Sequence, residues 1–234
     1  MGIITKKGAI GTINGRTGDV VTTKWRRTDV VKSTPEKKKK KKGAKLQPQS
    51  VKIGLMSKML SKFKKQIQIG LDKKTNKLPG FQMAMEYNIA HAIKGEDPNF
   101  EIDYEKVIFS RGSGDIAWGG SLTLLEDNDF LLTWETLSTS NLKKNGQDLI
   151  HVMVWESTKR RGAVYSSQTA TRAELSTVRR IPGTLIPGTI HVWVFFSSPD
   201  GKTVSNTRYM GSLQPTLENY LFNKQESQKS GKTL

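Results

Sequence analysis

Ile190-His191-Val192-Trp193-Val194-Phe195-Phe196-Ser197, followed by Ser198-Pro199-Asp200-Gly201 and then Lys202-Thr203-Val204-Ser205, is the stretch on which the fold turns. Val192, Val194 and Phe196 alternate with His191, Trp193 and Phe195, the period of a strand whose side chains point to opposite faces. Pro-Asp-Gly is turn chemistry: proline presets φ, aspartate bonds its own backbone and glycine accepts positive φ. The pair predicts a hairpin with strands over about 190–197 and 203–210. The same alternation recurs upstream in Phe130, Leu132 and Trp134, and in Val152, Val154 and Glu156 set against His151, Met153 and Trp155. Ile102, Tyr104, Val107 and Phe109 read as one further strand. Turn-forming clusters at Glu126 to Asp129 and Asn145 to Asp148 separate these runs. About seven short strands with no helical pattern among them predict an antiparallel β-sandwich of immunoglobulin or fibronectin type over residues 98–215.

Before position 98 the periodicity is helical. Leu55, Met56, Met59, Leu60, Phe63 and Ile67 form one stripe between Ser50 and Leu71, with Lys58, Lys62 and Lys65 opposite and Ser50 as the expected N-cap. Such a helix packs on a core with its lysines solvated, contacts an anion such as nucleic acid, or lies on a membrane surface. A second helix is expected over Phe81 to Lys94, stopped by Gly95. Residues 48–97 thus read as a two-helix segment. Residues 216–234 read as a short helix, Thr216 to Phe222, and a polar tail. The chain is expected to be mainly β, with an N-terminal helical pair and a basic extended arm ahead of it.

Charge divides the chain differently. Residues 1–80 carry 22 Lys and Arg against four acids, whereas residues 81–234 carry 16 against 17. The peak is Lys37 to Lys42, six lysines in a row, which repel one another unless an anion lies against them. Residues 1–47 therefore read as a Gly/Lys-rich arm. Its expected polyanion contacts are Arg26, Arg27, Lys37, Lys38, Lys39, Lys40, Lys41, Lys42 and Lys45, with DNA or RNA as the first partner to consider. Val20 to Trp25 alternates like a strand, but a lone strand is marginal in water and needs a neighbour. Val20, Val21 and Trp25 are candidates for an anchor into another subunit. Trp25 beside Arg26 and Arg27 equally suits stacking on a nucleic-acid base. The glycines at 8, 11, 15 and 18 lack the spacing of a phosphate-binding loop.

No cysteine occurs, which excludes disulfides, thiol nucleophiles and thiolate metal sites. No run of about 18 apolar residues suggests a membrane span, and Met1 to Thr22 lacks the apolar core of a secretory signal. The expected setting is the cytoplasm, or a virion assembled in the bacterial cytoplasm. His91, His151 and His191 have no ligand-spaced partner, and no nucleophile elbow is present. Glu126, Asp127 and Asp129 fall short of a calcium loop. No catalytic residue, cofactor or metal is assigned, and an enzyme is not expected.

The order of segments resembles an uncharacterised family, known as a domain of unknown function and common in Bacteroidota. The resemblance rests on Gly15-Arg16-Thr17-Gly18-Asp19-Val20-Val21 with Trp25, on Lys58 to Phe63, and on Phe81 to Asn88. It continues in Pro98 to Tyr104, Ser110-Arg111-Gly112 and Pro199 to Asn206. It implies no catalytic residues. A folded β-rich part with a charged arm suits a non-enzymatic structural or assembly protein, such as a ring or shell subunit of a phage particle that contacts copies of itself and neighbouring structural proteins. A monomeric nucleic-acid- or ribosome-associated protein is the alternative.

Overall fold

The computed structural model describes residues 2–3, 15–25, 28–34, 47–71, 79–126, 128–136, 144–165 and 170–215. The chain divides into two compact units, Met1–Lys45 and Leu46–Leu234.

The described residues of the first unit form a small antiparallel sheet, and the lysine tract of the expected arm lies outside them. Strands β1 (Gly2–Ile3), β2 (Gly15–Thr17), β3 (Val20–Trp25) and β4 (Thr28–Ser33) lie in the order β1-β4-β3-β2. Thr17 pairs with Val20 across the two residues Gly18 and Asp19, and Gly18 takes φ 58°, as a tight hairpin turn requires. β3 pairs with β2 on one edge and with β4 on the other, so the Val20 to Trp25 run finds its neighbours inside its own unit. The six-residue strand Thr28–Ser33, whose adjacent Val30 and Val31 give no alternation to read, supplies the second of them.

In the second unit the helical stripe is interrupted. α1 (Pro48–Leu60) and α2 (Lys64–Leu71) flank a 3-10 turn at Ser61–Phe63. Pro48, whose φ is preset for a first turn, starts α1 after Gln47, so Ser50 is not the cap. Met56, Met59, Leu60, Phe63 and Ile67 are fully buried while Lys58, Lys62 and Lys65 are exposed, which is the core-facing arrangement. α3 (Gly80–His91) ends earlier than expected. Ile93–Lys94 forms a short strand, β5, paired with β6 (Glu101–Ile102), and Gly95 lies in their connection with φ 87°.

Ile102 to Phe109 is not a strand beyond β6. Tyr104–Lys106 is a 3-10 turn, and Ile102, Val107 and Phe109 pack among the helices. The backbone there is satisfied by side chains. Asn88 Oδ1 accepts from Ile108 N at 2.8 Å, Asn88 Nδ2 donates to Ile108 O at 2.9 Å, and Thr207 Oγ1 accepts from Phe109 N at 2.8 Å.

Seven strands follow: β7 (Trp118–Leu124), β8 (Asp129–Glu135), β9 (Leu149–Glu156), β10 (Arg161–Tyr165), β11 (Ser176–Arg180), β12 (Ile190–Ser197) and β13 (Arg208–Leu213). They form two antiparallel sheets, β11-β8-β7 and β10-β9-β12-β13. The hairpin at Pro-Asp-Gly is present, with Gly201 at φ 68° and a bridge from Ser197 to Val204, but its second strand resumes only at Arg208.

The β9 and β12 sheet is covered on both faces. Ile150, Val152, Val154, Val192, Val194 and Phe196 pack with Phe130, Leu132 and Trp134 of β8. Met153, Trp155, Trp193 and Phe195, on the opposite face, pack with Met56, Leu60 and Phe63. Strands buried on both sides carry almost unbroken apolar sequence. The unit is thus three layers: helices, a four-stranded sheet and a three-stranded sheet.

Candidate functional site

Of the residues expected to meet a polyanion, Arg26, Arg27, Lys37 to Lys42 and Lys45 lie outside the described residues. Val20 is 41% exposed at the start of β3. Trp25 closes β3 with its backbone opposite Thr28, and its side chain is outside the described set. In register across three strands stand Arg16, Val21 and Lys32. Opposed residues share a face of a sheet, so the two exposed cations flank the half-buried valine in one row. A row of like charges of this kind is relieved by a counter-charge laid across the strands.

The three histidines are built into packing. The His151 ring stacks on Phe195 at 4.4 Å, and its Nε2 is 2.8 Å from Ser197 Oγ. His191 stacks on Tyr104 at 3.8 Å, with Nδ1 2.8 Å from Tyr209 Oη. Burial lowers both imidazoles to about 4. His91 lies against Tyr87, with ring centres 4.5 Å apart. Among the described residues no group of three His, Asp or Glu is arranged to hold a metal ion.

A cleft of about 350 Å³, not legible in the sequence, opens between the Phe100 to Tyr104 segment and the β9–β10 turn. Lys94, Phe100, Tyr104, Trp155, Ser157 and Arg160 line it, together with one carboxylate, Glu101. The turn is pinned from within. The buried Glu156 carboxylate accepts from Thr158 N at 2.8 Å and from Lys159 N, and Lys159 Nζ donates to Ile186 O at 3.0 Å. Arg160 takes φ 54°, a left-handed conformation uncommon for a non-glycine residue. Lys52 lies 4.7 Å from the Phe100 ring centre.

The polar groups in the cleft are incompletely used. Trp155 is 1% exposed, and its Nε1–H has no well-aligned hydrogen-bond partner among the described residues. The indole N–H approaches the Tyr104 hydroxyl closely enough to lower that group's pKa by hydrogen bonding to its oxygen, though the contact is not well aligned. Burial outweighs the indole and the Arg160 guanidinium, so the hydroxyl's pKa is raised and it stays a neutral donor. The nearest sequence signal was the basic turn Lys159-Arg160-Arg161, which carries no periodicity to distinguish it from an ordinary solvated turn.

No helix among the described residues is long and apolar enough to cross a membrane. Residues 11–211 match the family described as Family of unknown function (DUF6266). The match crosses the boundary between the two units, so basic segment and β-rich unit fall within one family pattern. No curated protein and no solved structure matches the chain significantly.

Proposed function

We propose, from the premise that this chain belongs to the family of unknown function DUF6266, that it is a non-enzymatic assembly protein: copies associate through the second unit, and residues 26–45 engage a polyanion. The observation that carries self-association is the outer face of the β11-β8-β7 sheet. Val178 is 48% exposed and Trp118 38%, and register brings Val178, Leu131 and Thr123 side by side. An exposed valine and tryptophan on one open sheet face, with only the small polar row Ser176, Thr133 and Ser121 between them, suit contact with another protein surface. Charge favours a second copy as the occupant. Arg180 lies at one end of the sheet, opposite Asp129, and Glu135 at the other, opposite Trp118. A two-fold axis across the strands sets the Arg180 of each copy against the Glu135 of the other.

The finer fold reading is an immunoglobulin- or fibronectin-type sandwich. In chain order from β7, the first, second and fifth strands share one sheet, and the third, fourth, sixth and seventh share the other, which supports that connectivity. The two-fold contact alone closes as a dimer, and a ring or shell, of the kind a phage particle uses, joins such dimers through a second, head-to-tail contact.

Size-exclusion chromatography with light scattering tests the proposal. The expected result is a mass above one chain, reduced to one chain by Val178→Lys with the thermal transition kept. A monomer at every concentration overturns self-association and favours a monomeric nucleic-acid-binding protein.

A further inference from the structure

We infer that the cleft between Tyr104 and Arg160 is a site for one unpaired nucleotide of a single-stranded nucleic acid. The inference rests on the polyanion half of the proposed function and gives that partner a second, base-reading contact. Three observations converge on it. The cavity, about 350 Å³, lies at the lower end of the range used for small-molecule sites. Its rim carries Lys94 and Arg160 against the carboxylate of Glu101, with Lys52 beside Phe100 and the Glu156 carboxylate behind the wall engaged by backbone N–H groups, so an anion is favoured over a cation. Its wall sets the Tyr104 hydroxyl beside the buried Trp155 Nε1–H, whose approach to it falls short of a well-aligned hydrogen bond.

A nucleotide satisfies these features together. Bases stack on aromatic rings regardless of sequence, and the Phe100 ring, already faced by Lys52, offers a surface with a cation at hand. A phosphate placed towards Arg160 and Lys94 gains charge-assisted hydrogen bonds. Tyr104 Oη has capacity for one accepted and one donated hydrogen bond. With its proton donated to a base or phosphate acceptor, the oxygen turns a lone pair to Trp155 Nε1–H and tightens that contact. The site is prepared by packing. Tyr104 is held by its stack on His191 and by its backbone carbonyl, which accepts from Trp193 Nε1 at 2.9 Å. Arg160 is held by the Glu156-pinned turn.

The test uses the full chain with Lys37 to Lys42 changed to Gln, so that the lysine tract does not mask the cleft. The probe is an oligothymidylate roughly eight nucleotides long, within the range single nucleic-acid folds occupy. The expected result is binding that Phe100→Ala and Arg160→Gln each weaken about tenfold, and Tyr104→Phe by a smaller factor, with unchanged urea midpoints. One indole N–H resonance, absent from the spectrum of Trp155→Phe, should move on titration in the parent and stay still in Tyr104→Phe. Oligothymidylate binding that all three variants retain overturns the cleft and leaves the polyanion reading standing. Failure of the unmodified chain to bind the probe overturns both. The same resonance moving with an acidic peptide and not with the oligonucleotide overturns the nucleotide and assigns the cleft to protein.

Discussion

The guanidinium of Arg172 lies 3.8 Å from the ring centre of Phe196 and 3.2 Å from a carboxylate oxygen of Asp148, and its side chain is 2% exposed. Two further donors reach backbone oxygens: Nη2 donates to Asp115 O at 2.7 Å and Nη1 to Ile116 O at 3.3 Å. The Arg172 carbonyl accepts from Trp134 Nε1 at 2.8 Å. One side chain thus ties the segment before β7, the approach to β9 and the approach to β11. Truncating one partner leaves the other charge buried and unpaired, so Arg172→Ala should cost about 3–5 kcal/mol of unfolding free energy in urea. A loss below about 1 kcal/mol would make the network incidental to the fold.

Acid should destabilise the second unit through its histidines. His151 is lowered to about 4 by burial, from an ordinary value near 6.5. Its folded pKa lies below its unfolded one, so its contribution is fully present above pH 6.5 and is lost as pH falls towards 4. For His151 alone the loss at pH 5 is about 2 kcal/mol. His191 acts in the same direction, with more solvent screening. Urea midpoints at pH 7.5 and 5 should differ, and His151→Gln should shrink the difference. Equal midpoints would show that the imidazole gains protons without cost.

Two helical glycines should respond to alanine with opposite signs. A Cβ on Gly70 of α2 would fall 2.5 Å from Ser110 Cβ and against the Phe109 carbonyl, so the helix must leave the segment it packs on. A Cβ on Gly54 of α1 meets nothing within 4 Å. Gly54→Ala should add up to about 1 kcal/mol of stability through helix propensity alone. Gly70→Ala should remove about 1–3 kcal/mol, the cost of overpacking. Thermal midpoints moving the same way would refute the close packing of α2 on residues 109–110.

What the sequence disclosed follows burial. β8, β9 and β12 were legible because their apolar alternation reports buried faces, and α1 because Met56, Met59, Leu60 and Phe63 share one stripe. β7 was not, since Gly119, Gly120 and Ser121 carry no alternation. Residues 103–109 misled because their apolar side chains fall at strand spacing while Asn88 and Thr207, far apart in sequence, supply the hydrogen bonds a partner strand would. The first sheet was missed because β2 is only Gly-Arg-Thr and because Val30 and Val31 of β4 stand side by side without alternation. The cleft was invisible because Tyr104 and Arg160 meet only through tertiary packing.

The two units predict independence. The second carries both buried clusters, none of whose members precedes Met56. Deleting residues 1–45 should therefore leave a cooperative thermal transition with its midpoint moved by no more than a few degrees. Loss of cooperativity would mean that the boundary after Lys45 is not a folding boundary.

The same deletion separates folding from binding, and the lysine tract should dominate the latter. Each phosphate neutralised on duplex DNA releases condensed counterions and adds about 0.9 to the slope of log affinity against log salt. Lys37 to Lys42 place six cations on consecutive residues. Neighbours on an extended chain are about 3.5 Å apart, close enough for several to meet the phosphates of one strand together. Changing all six to Gln should flatten the slope by several units, while Arg16→Gln and Lys32→Gln in the sheet should each remove about one unit or less. The measurement is fluorescence anisotropy of a labelled duplex across a salt series. A slope unmoved by the six glutamines would assign the contact to the folded sheet or to the cleft, and would make residues 37–42 a solvated connector.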